Sequence, residues 1–426
     1  MNKHATGARA GLIGFLMTLL AFAACEGTAD STAPGIEGSL PVFGTFRDVE
    51  PPSGDGAAEP WLSLDGEERV ILSWLESSPE GHALRFSIRH EESWGPVRTV
   101  VSRPDLFVNW ADFPSVIRLP DGSLAAHWLQ RTGAGTYDYG VRIARSTDEG
   151  ISWSDPVTPH TDGTPTEHGF VSLFAGAEAG AIGAVWLDGR NYADTDSGAP
   201  FMTLRAAEIA EDGSLRAERV LDPRTCDCCQ TGVARSGSRM IVAYRGRTDS
   251  EVRDIRVVRG RHDTWSEPLT VHEDGWTIPS CPVNGPAIGA SGNRVAVSWF
   301  TAANDSPRVL LAWSDDSGVS FGAPQEIAGP GEIGEPLGRV DLEVAPESHV
   351  LVSWLHEREG TAAIMLAAVA PNGARAVTTA VPRLEGGRAT GFPRLVMTGR
   401  RVLLAWTEPG DPSRLRLSEA PVSATH

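Results

Sequence analysis

DFPSVIRL (112–119), LAAHWL (124–129), VRIARS (141–146) and WSDPVT (153–158) follow one another with turn-forming PDG and TDEG between them. Each run is short and β-prone and is bounded by Gly, Pro or Asp, so together they read as four strands of one sheet. The same order recurs upstream as WLSLD, RVILSWLE, LRFSIRH and WGPVRTV (61–100), and downstream as GPAIGA, RVAVSWF, RVLLAWS and FGAPQEI (285–327). One aromatic marks every copy near the end of its second run: Trp74, Trp128, Trp186, Tyr244, Trp299, Trp354 and Trp406, at intervals of 54, 58, 58, 55, 55 and 52 residues. A four-stranded unit copied at this period is an all-β propeller, of seven blades if every copy counts and of six if one copy is a degenerate insert. Helical periodicity is missing after the N-terminus. The last copy, FPRLVM, RVLLAW and SRLRLSE, is one strand short, and the run around Val42 to Arg47 is placed to supply that strand and close the ring.

The N-terminus has a separate role. Lys3 and Arg9 precede an apolar stretch from Leu12 to Ala24 that ends in Phe22-Ala23-Ala24-Cys25. This resembles a bacterial lipoprotein signal over residues 1–24, with Cys25 as the acylated first residue of the mature chain; a plain secretory signal is the alternative. Residues 25–41 are rich in Gly, Ser, Thr, Ala and Pro, a flexible tether, and 42–426 form the propeller domain. The expected location is therefore the cell envelope, lipid-anchored, at the outer membrane or the periplasmic face, with the membrane touched only through the anchor. Loss of Lys3 and Arg9 with the signal takes the formal charge from −18 to −20, which disfavours nucleic acid and anionic lipid surfaces as partners.

Two turns carry a further signature. Ser146-Thr147-Asp148-Glu149-Gly150-Ile151-Ser152-Trp153 fits the Asp-box pattern S-x-D-x-G-x-x-W, and Ser314 to Phe321 repeats it with Phe in the final place. With these boxes nearly the whole mature chain resembles the sialidase superfamily of Asp-box propellers. The run CDCCQT, with WLDGR and YRGR, is also similar to bacterial sialidase-like proteins. The resemblance implies structural roles for Asp148 and Asp316 and a central funnel that binds a small anionic or carbohydrate ligand. Exo-sialidase-like glycoside hydrolysis would need three arginines on the substrate carboxylate, a Tyr and Glu pair, and an Asp. The opening of the first blade, Glu59-Pro60-Trp61-Leu62-Ser63, lacks the expected Arg.

Counting back eighteen residues from the repeat aromatics gives Trp110, His168, Cys226, Cys281, Pro336 and Arg388, which should ring the funnel where the inner strands begin. Around them Tyr244, Arg339 and Glu335 are the catalytic candidates: a phenol nucleophile or donor, a carboxylate-binding fork and a carboxylate partner. Trp110, Asp112, Asp188, Arg190, Arg245, Arg247, Asn284 and Arg394 are candidates for ligand binding. Cys226, Cys228, Cys229 and Cys281 all fall on this ring. They support three readings: disulfides clamping neighbouring blades, with Cys226 or Cys228 bonded to Cys281; a soft-metal site for copper or zinc, with His168 as a further ligand; or a redox-active thiol. Three function classes stay open: a glycosidase, a binding-only receptor, and an envelope scaffold holding a protein partner. Gly-rich phosphate loops and an H-E-x-x-H helix are missing.

Mass analysis of the native N-terminus is expected to show diacylglycerol and acyl mass on Cys25; cleavage elsewhere with Cys25 unmodified is the opposing result.

Overall fold

The apolar runs form strands that are buried on both faces: in Arg294–Thr301 and Arg308–Ser314 nearly every side chain is buried, and the two pair antiparallel with Trp299 opposite Leu310. The computed structural model describes residues 40–423 apart from 194–200, 262–263, 332–333, 345–348 and 385–389. Cys25, nearly all of the tether and Arg388 lie outside these residues.

Among the described residues there are seven antiparallel sheets, one per repeat, numbered here as blades 1 to 7. Their inner strands are Ala58–Leu64, Ser115–Arg118, His168–Ala175, Gly232–Ser236, Ala287–Ser291, Glu335–Val344 and Arg394–Thr398. Proline interrupts some outer strands because it has no N–H to give to the ladder. In blade 1 the fourth strand splits into Ser93–Trp94 and Arg98–Arg103 around Pro96, and in blade 4 into Thr264–Trp265 and Leu269–Thr270 around Pro268. In blade 2 the expected fourth strand is reduced to a bridge between Val157, which follows Pro156, and Ile143.

Blades pack face to face. Val70, Leu72 and Trp74 of blade 1 share one apolar cluster with Val396, Leu403 and Leu417 of blade 7, and Leu351, Ile364 and Leu366 of blade 6 share another with Leu395, Leu404 and Trp406. Each such fully buried side chain contributes about 1.5–3 kcal/mol. The repeat aromatics sit inside these layers, and four of them have their polar tips paired with a carboxylate. Trp74 Nε1 donates to Glu76 (2.8 Å), Trp186 Nε1 to Asp188 (2.9 Å), Trp299 Nε1 to Asp274 (2.7 Å) and the Tyr244 hydroxyl to Asp222 (2.7 Å).

The ring closes as the short last copy requires. Val42–Phe43 and Arg47–Val49 pair antiparallel with the final strand, Arg414–Ser423, and become the outer edge of blade 7. The buried carboxylate of Glu419 ties this closure together, accepting from Arg47 of the N-terminal strand (2.6 Å), Arg89 of blade 1 (2.9 Å) and Arg401 of blade 7 (3.0 Å). The Asp boxes lie at the far end of their blades from the starts of the inner strands. Asp148 Oδ1 accepts from Ser146 Oγ (2.8 Å) and the Ser152 N–H (2.9 Å), Gly150 takes the left-handed conformation (φ 74°), and Trp153 packs edge-on against Phe86.

Burial opposes ionisation of Glu419, but the hydrogen bonds from Arg89 and Arg47 outweigh it and hold its pKa below the ordinary range. Its contribution is therefore present above the unfolded pKa and lost as pH falls through the folded one. Glu419→Gln is expected to lower the unfolding free energy by about 2 kcal/mol at pH 7. In denaturant titrations the gap from wild type should shrink as the solution is made acidic.

Candidate functional site at the funnel mouth

Several inner strands begin with the same backbone irregularity. Glu59 (φ 52°), Phe170 (φ 54°) and Arg339 (φ 54°) are left-handed residues within bulges at the mouth end of blades 1, 3 and 6. A bulge re-aims the side chains around it, and a non-glycine residue at positive φ is strained unless its surroundings hold it. Here the preceding blade, or the segment leading into it, does so. The N–H of Glu59 is taken by Thr407 Oγ1 (3.0 Å), that of Phe170 by Asp112 Oδ1 (2.7 Å) and that of Arg339 by Asn284 Oδ1 (2.6 Å). Two predicted ligand-binding residues, Asp112 and Asn284, are thus seen bracing the next blade.

Asp112 also belongs to a phenol and carboxyl cluster. The Tyr139 hydroxyl lies 2.8 Å from Asp112 Oδ2 and 2.7 Å from Glu167 Oε1. One hydroxyl proton cannot serve two carboxylates, so one of the two acids must be protonated for both bonds to form. Burial raises Asp112 to about 7 and Glu167 to about 8, and the backbone N–H of Phe170 favours ionised Asp112, leaving the shared proton on Glu167. A Cβ on Gly169 would come within 1.9 Å of Asp112 Oδ2, so that position needs glycine. On the Glu167 side, Asp227 pairs with Arg247 (2.7 Å), which also binds Glu251 (2.9 Å).

A second cluster joins His168, Asp188 and Arg190. Arg190 grips Asp188 through Nε and Nη2 (both 2.7 Å) and reaches Glu218. His168 donates from Nδ1 to the Thr166 carbonyl (2.8 Å) and from Nε2 toward Asp162 (3.2 Å), with Asp188 at 3.6 Å. Burial disfavours its imidazolium, yet Asp162 and Asp188 outweigh burial and raise the pKa. His160 stacks on it at 3.9 Å and is driven down to about 4 by burial and by the charge of His168. His160, Asp162 and His168 are close enough to share a cation. Their hydrogen bonds argue against it: His160 Nε2 accepts the Val141 N–H (3.3 Å), which leaves the proton on Nδ1, the nitrogen that faces Asp162. Asp188 and Arg190 are committed to this ion-pair network, and His168 does not join the cysteines.

The cysteines do come together. Cys228 and Cys281 form a disulfide linking the segments that lead into blades 4 and 5. Cys226 and Cys229 are free, buried and 3.3 Å apart at sulfur, with Cys228 close to both. Arg253 Nη1 donates to Cys226 Sγ at 3.2 Å. Burial alone would raise the Cys226 thiol, but the Cys229 S–H, Arg253 and Arg245 outweigh it and bring it to about 6. Arg245, expected at a ligand, is fully buried and donates to the backbone carbonyls of Asn284 (2.9 Å), Arg253 (2.7 Å) and Phe300 (2.7 Å).

Beside the disulfide is a cavity of about 270 Å³ lined by Trp110, Pro282, Asn284, Arg339, Glu357 and Thr390. The Arg339 guanidinium stands 4.8 Å from the Trp110 ring and donates to the Gly391 carbonyl (2.8 Å). Deeper, a channel cavity of about 340 Å³ is lined by Ser115, Ser172, Asp341, Glu343 and Arg394. Arg394 lies between Trp61 (4.3 Å) and Phe113 (4.6 Å), with Asp341 at 3.7 Å, and burial raises Glu343 to about 8. The predicted catalytic trio is not assembled. Tyr244 is fully buried within the blade with its hydroxyl on Asp222, Glu335 is exposed, and among the contacts of the described residues neither is bonded to Arg339. Tyr244 does the work of a repeat Trp, because its side chain occupies the same layer.

Tyr139, Glu357, Thr390 and Arg253 were not marked by the sequence. Tyr139 had a signal, being one of four tyrosines and the first residue of a third strand. The others reach the mouth from loops or from strands that carry no motif.

No protein-family model matches the chain, and no curated relative matches it in sequence. Solved structures with a similar course of chain include a mutant NanB sialidase from Streptococcus pneumoniae (9% identity over 90% of this chain and 93% of that one, TM-score 0.46). A mutant α-L-arabinofuranosidase arb93a from Fusarium graminearum (12%, 73% and 92%, 0.46) and the polysaccharide lyase Uly1 (10%, 87% and 90%, 0.48) are also among them. The chemistry of this chain has to be read from its own residues.

Because the folded pKa of Glu167 lies above its unfolded value, its contribution is greatest in acid and declines as pH rises toward about 8. Glu167→Gln keeps a donor for Tyr139 without a charge to bury. Thermal midpoints from pH 5 to pH 8.5 should fall less in the variant than in wild type, and identical profiles would count against the shared proton.

Proposed function

We propose that the protein binds a small anionic glycan at the mouth of its ring, held away from an envelope membrane by a tether acylated at Cys25. The observation that carries the binding reading is the placement of Arg339. Its backbone is forced left-handed, its N–H is captured by Asn284, and its guanidinium is set over Trp110 at the wall of a 270 Å³ cavity. Strain kept at such a point is characteristic of ligand clamps. A planar guanidinium suits a carboxylate, and an indole face suits the apolar face of a sugar ring. Glu357 and Thr390 supply polar groups at the wall for hydroxyls, while Asn284 holds the backbone beside them. The volume is near the low end of small-molecule sites and fits a single sugar unit.

Turnover would need an acid that keeps its proton at neutral pH. Glu167, raised to about 8, is the mouth carboxyl suited to that role, which makes hydrolysis the second reading.

Calorimetric titration with sialic acid, a hexuronic acid and their neutral counterparts tests this reading. Acidic sugars should bind preferentially, and Arg339→Gln should weaken them by about 10- to 100-fold, the value of a charged hydrogen bond. Unchanged affinity in that variant would overturn the assignment. Release of product from aryl glycosides, lost in Glu167→Gln, would extend binding to hydrolysis, whereas neither binding nor turnover would leave the scaffold class.

A further inference from the structure

The geometry points to a second site, independent of the glycan cavity: Cys226 and Cys229 hold one monovalent soft metal ion, copper(I), between two thiolates. The pair is spaced C-x-x-C in the turn leading into blade 4, and this local geometry brings the two sulfurs to 3.3 Å. Both are buried, at 0% and 1% exposure, and the more exposed Cys228 and Cys281 are bonded to each other. The donor set is sulfur alone. The polar side chains against the pair are guanidiniums, which cannot ligate a metal. Thiolates without oxygen or nitrogen donors select copper(I) among the common metals, while zinc asks for four ligands.

Charge decides in the same direction. Arg253 is balanced by Glu251 at 2.8 Å. Arg245 is fully buried, and its hydrogen bonds all go to neutral carbonyls, with the Trp276 ring 5.0 Å away. A buried cation whose hydrogen bonds reach no carboxylate is stabilised further by a nearby anionic centre. Two thiolates around a monovalent ion carry one net negative charge, which offsets Arg245. Around a divalent ion they would carry none, and only the Asp274 carboxylate would oppose the charge of Arg245. The hydrogen bond from Arg253 to Cys226 Sγ would persist as a support to the bound thiolate. On binding, the ion replaces whichever thiol protons remain on the two sulfurs, and these pass to solvent. The metal stays monovalent, so no oxidant or reductant takes part.

Anaerobic titration of the full chain with copper(I), in competition with a chromophoric copper(I) chelator, tests the assignment. One ion per chain should bind to wild type and to the double variant Cys228→Ser/Cys281→Ser. Cys226→Ser and Cys229→Ser should each weaken binding by at least about 100-fold, beyond what losing a supporting hydrogen bond brings. Circular dichroism checks that the variants fold. X-ray absorption on copper-loaded wild type reads the ligand shell without any substitution: two sulfur neighbours support the site, and a nitrogen, oxygen or four-sulfur shell overturns it. Failure of wild type to bind stoichiometrically, retention of binding by both single variants, or displacement of copper by equimolar zinc would each overturn it as well.

Discussion

Each four-stranded blade has two apolar faces, and the only surface able to cover both is a pair of other blades. Everything else in this protein depends on that constraint, because a row of blades buries its faces completely only when it closes into a ring. The repeat aromatics mark the layers between blades, and their polar tips show how complete the burial is. Trp74, Trp186, Trp299 and Tyr244 each end on a carboxylate, so a large ring can be buried without stranding a donor. At the junction the N-terminal strands join the last blade, and Glu419 gathers arginines from three parts of the chain.

Closure turns the inner strands into a set of facing termini, and the chemistry of the mouth follows. Left-handed residues within bulges recur there at Glu59, Phe170 and Arg339, each with its N–H captured by a side chain from the preceding blade or its connecting segment. The captures tie neighbouring blades together and set the direction of the side chains beside them. Arg339 meets Trp110 through this arrangement, and Asp112 meets Tyr139 and Glu167. Structural bracing and candidate chemistry therefore share the same residues.

The mouth is also where buried charge gathers. Asp188, Arg190 and His168 cancel one another in a dense network, which makes them part of the frame. Around Tyr139 the imbalance is met by a proton held on a carboxyl, and around Arg245 by the Asp274 carboxylate and by the pull of the guanidinium on the Cys226 thiol toward its thiolate. These are two ways of avoiding an uncompensated ion away from water. The disulfide between Cys228 and Cys281 stands over the sulfur pair and fixes the segment that continues to Pro282 and Asn284 at the cavity wall.

Fold and rim could be read from the chain because they are periodic. Strand-length apolar runs, turn residues between them and one aromatic every 52 to 58 residues specify the blades, and the missing last strand points to the N-terminal run that completes it. Counting from those aromatics also places Trp110, His168, Cys226 and Cys281 on one rim. Which rim residues work together was not periodic and could not be read. Tyr244 lies beside the cysteines in sequence yet turns into the blade, whereas Tyr139 lies far from Glu167 in sequence and shares a proton with it. Cys226 pairs with Cys229 while Cys228 reaches the next blade. The repeat determines the ring because burying both faces of every blade depends on composition and spacing alone. Only the closed ring decides the partners, because a bulge, a left-handed residue or a buried charge is settled by side chains that another blade brings to it.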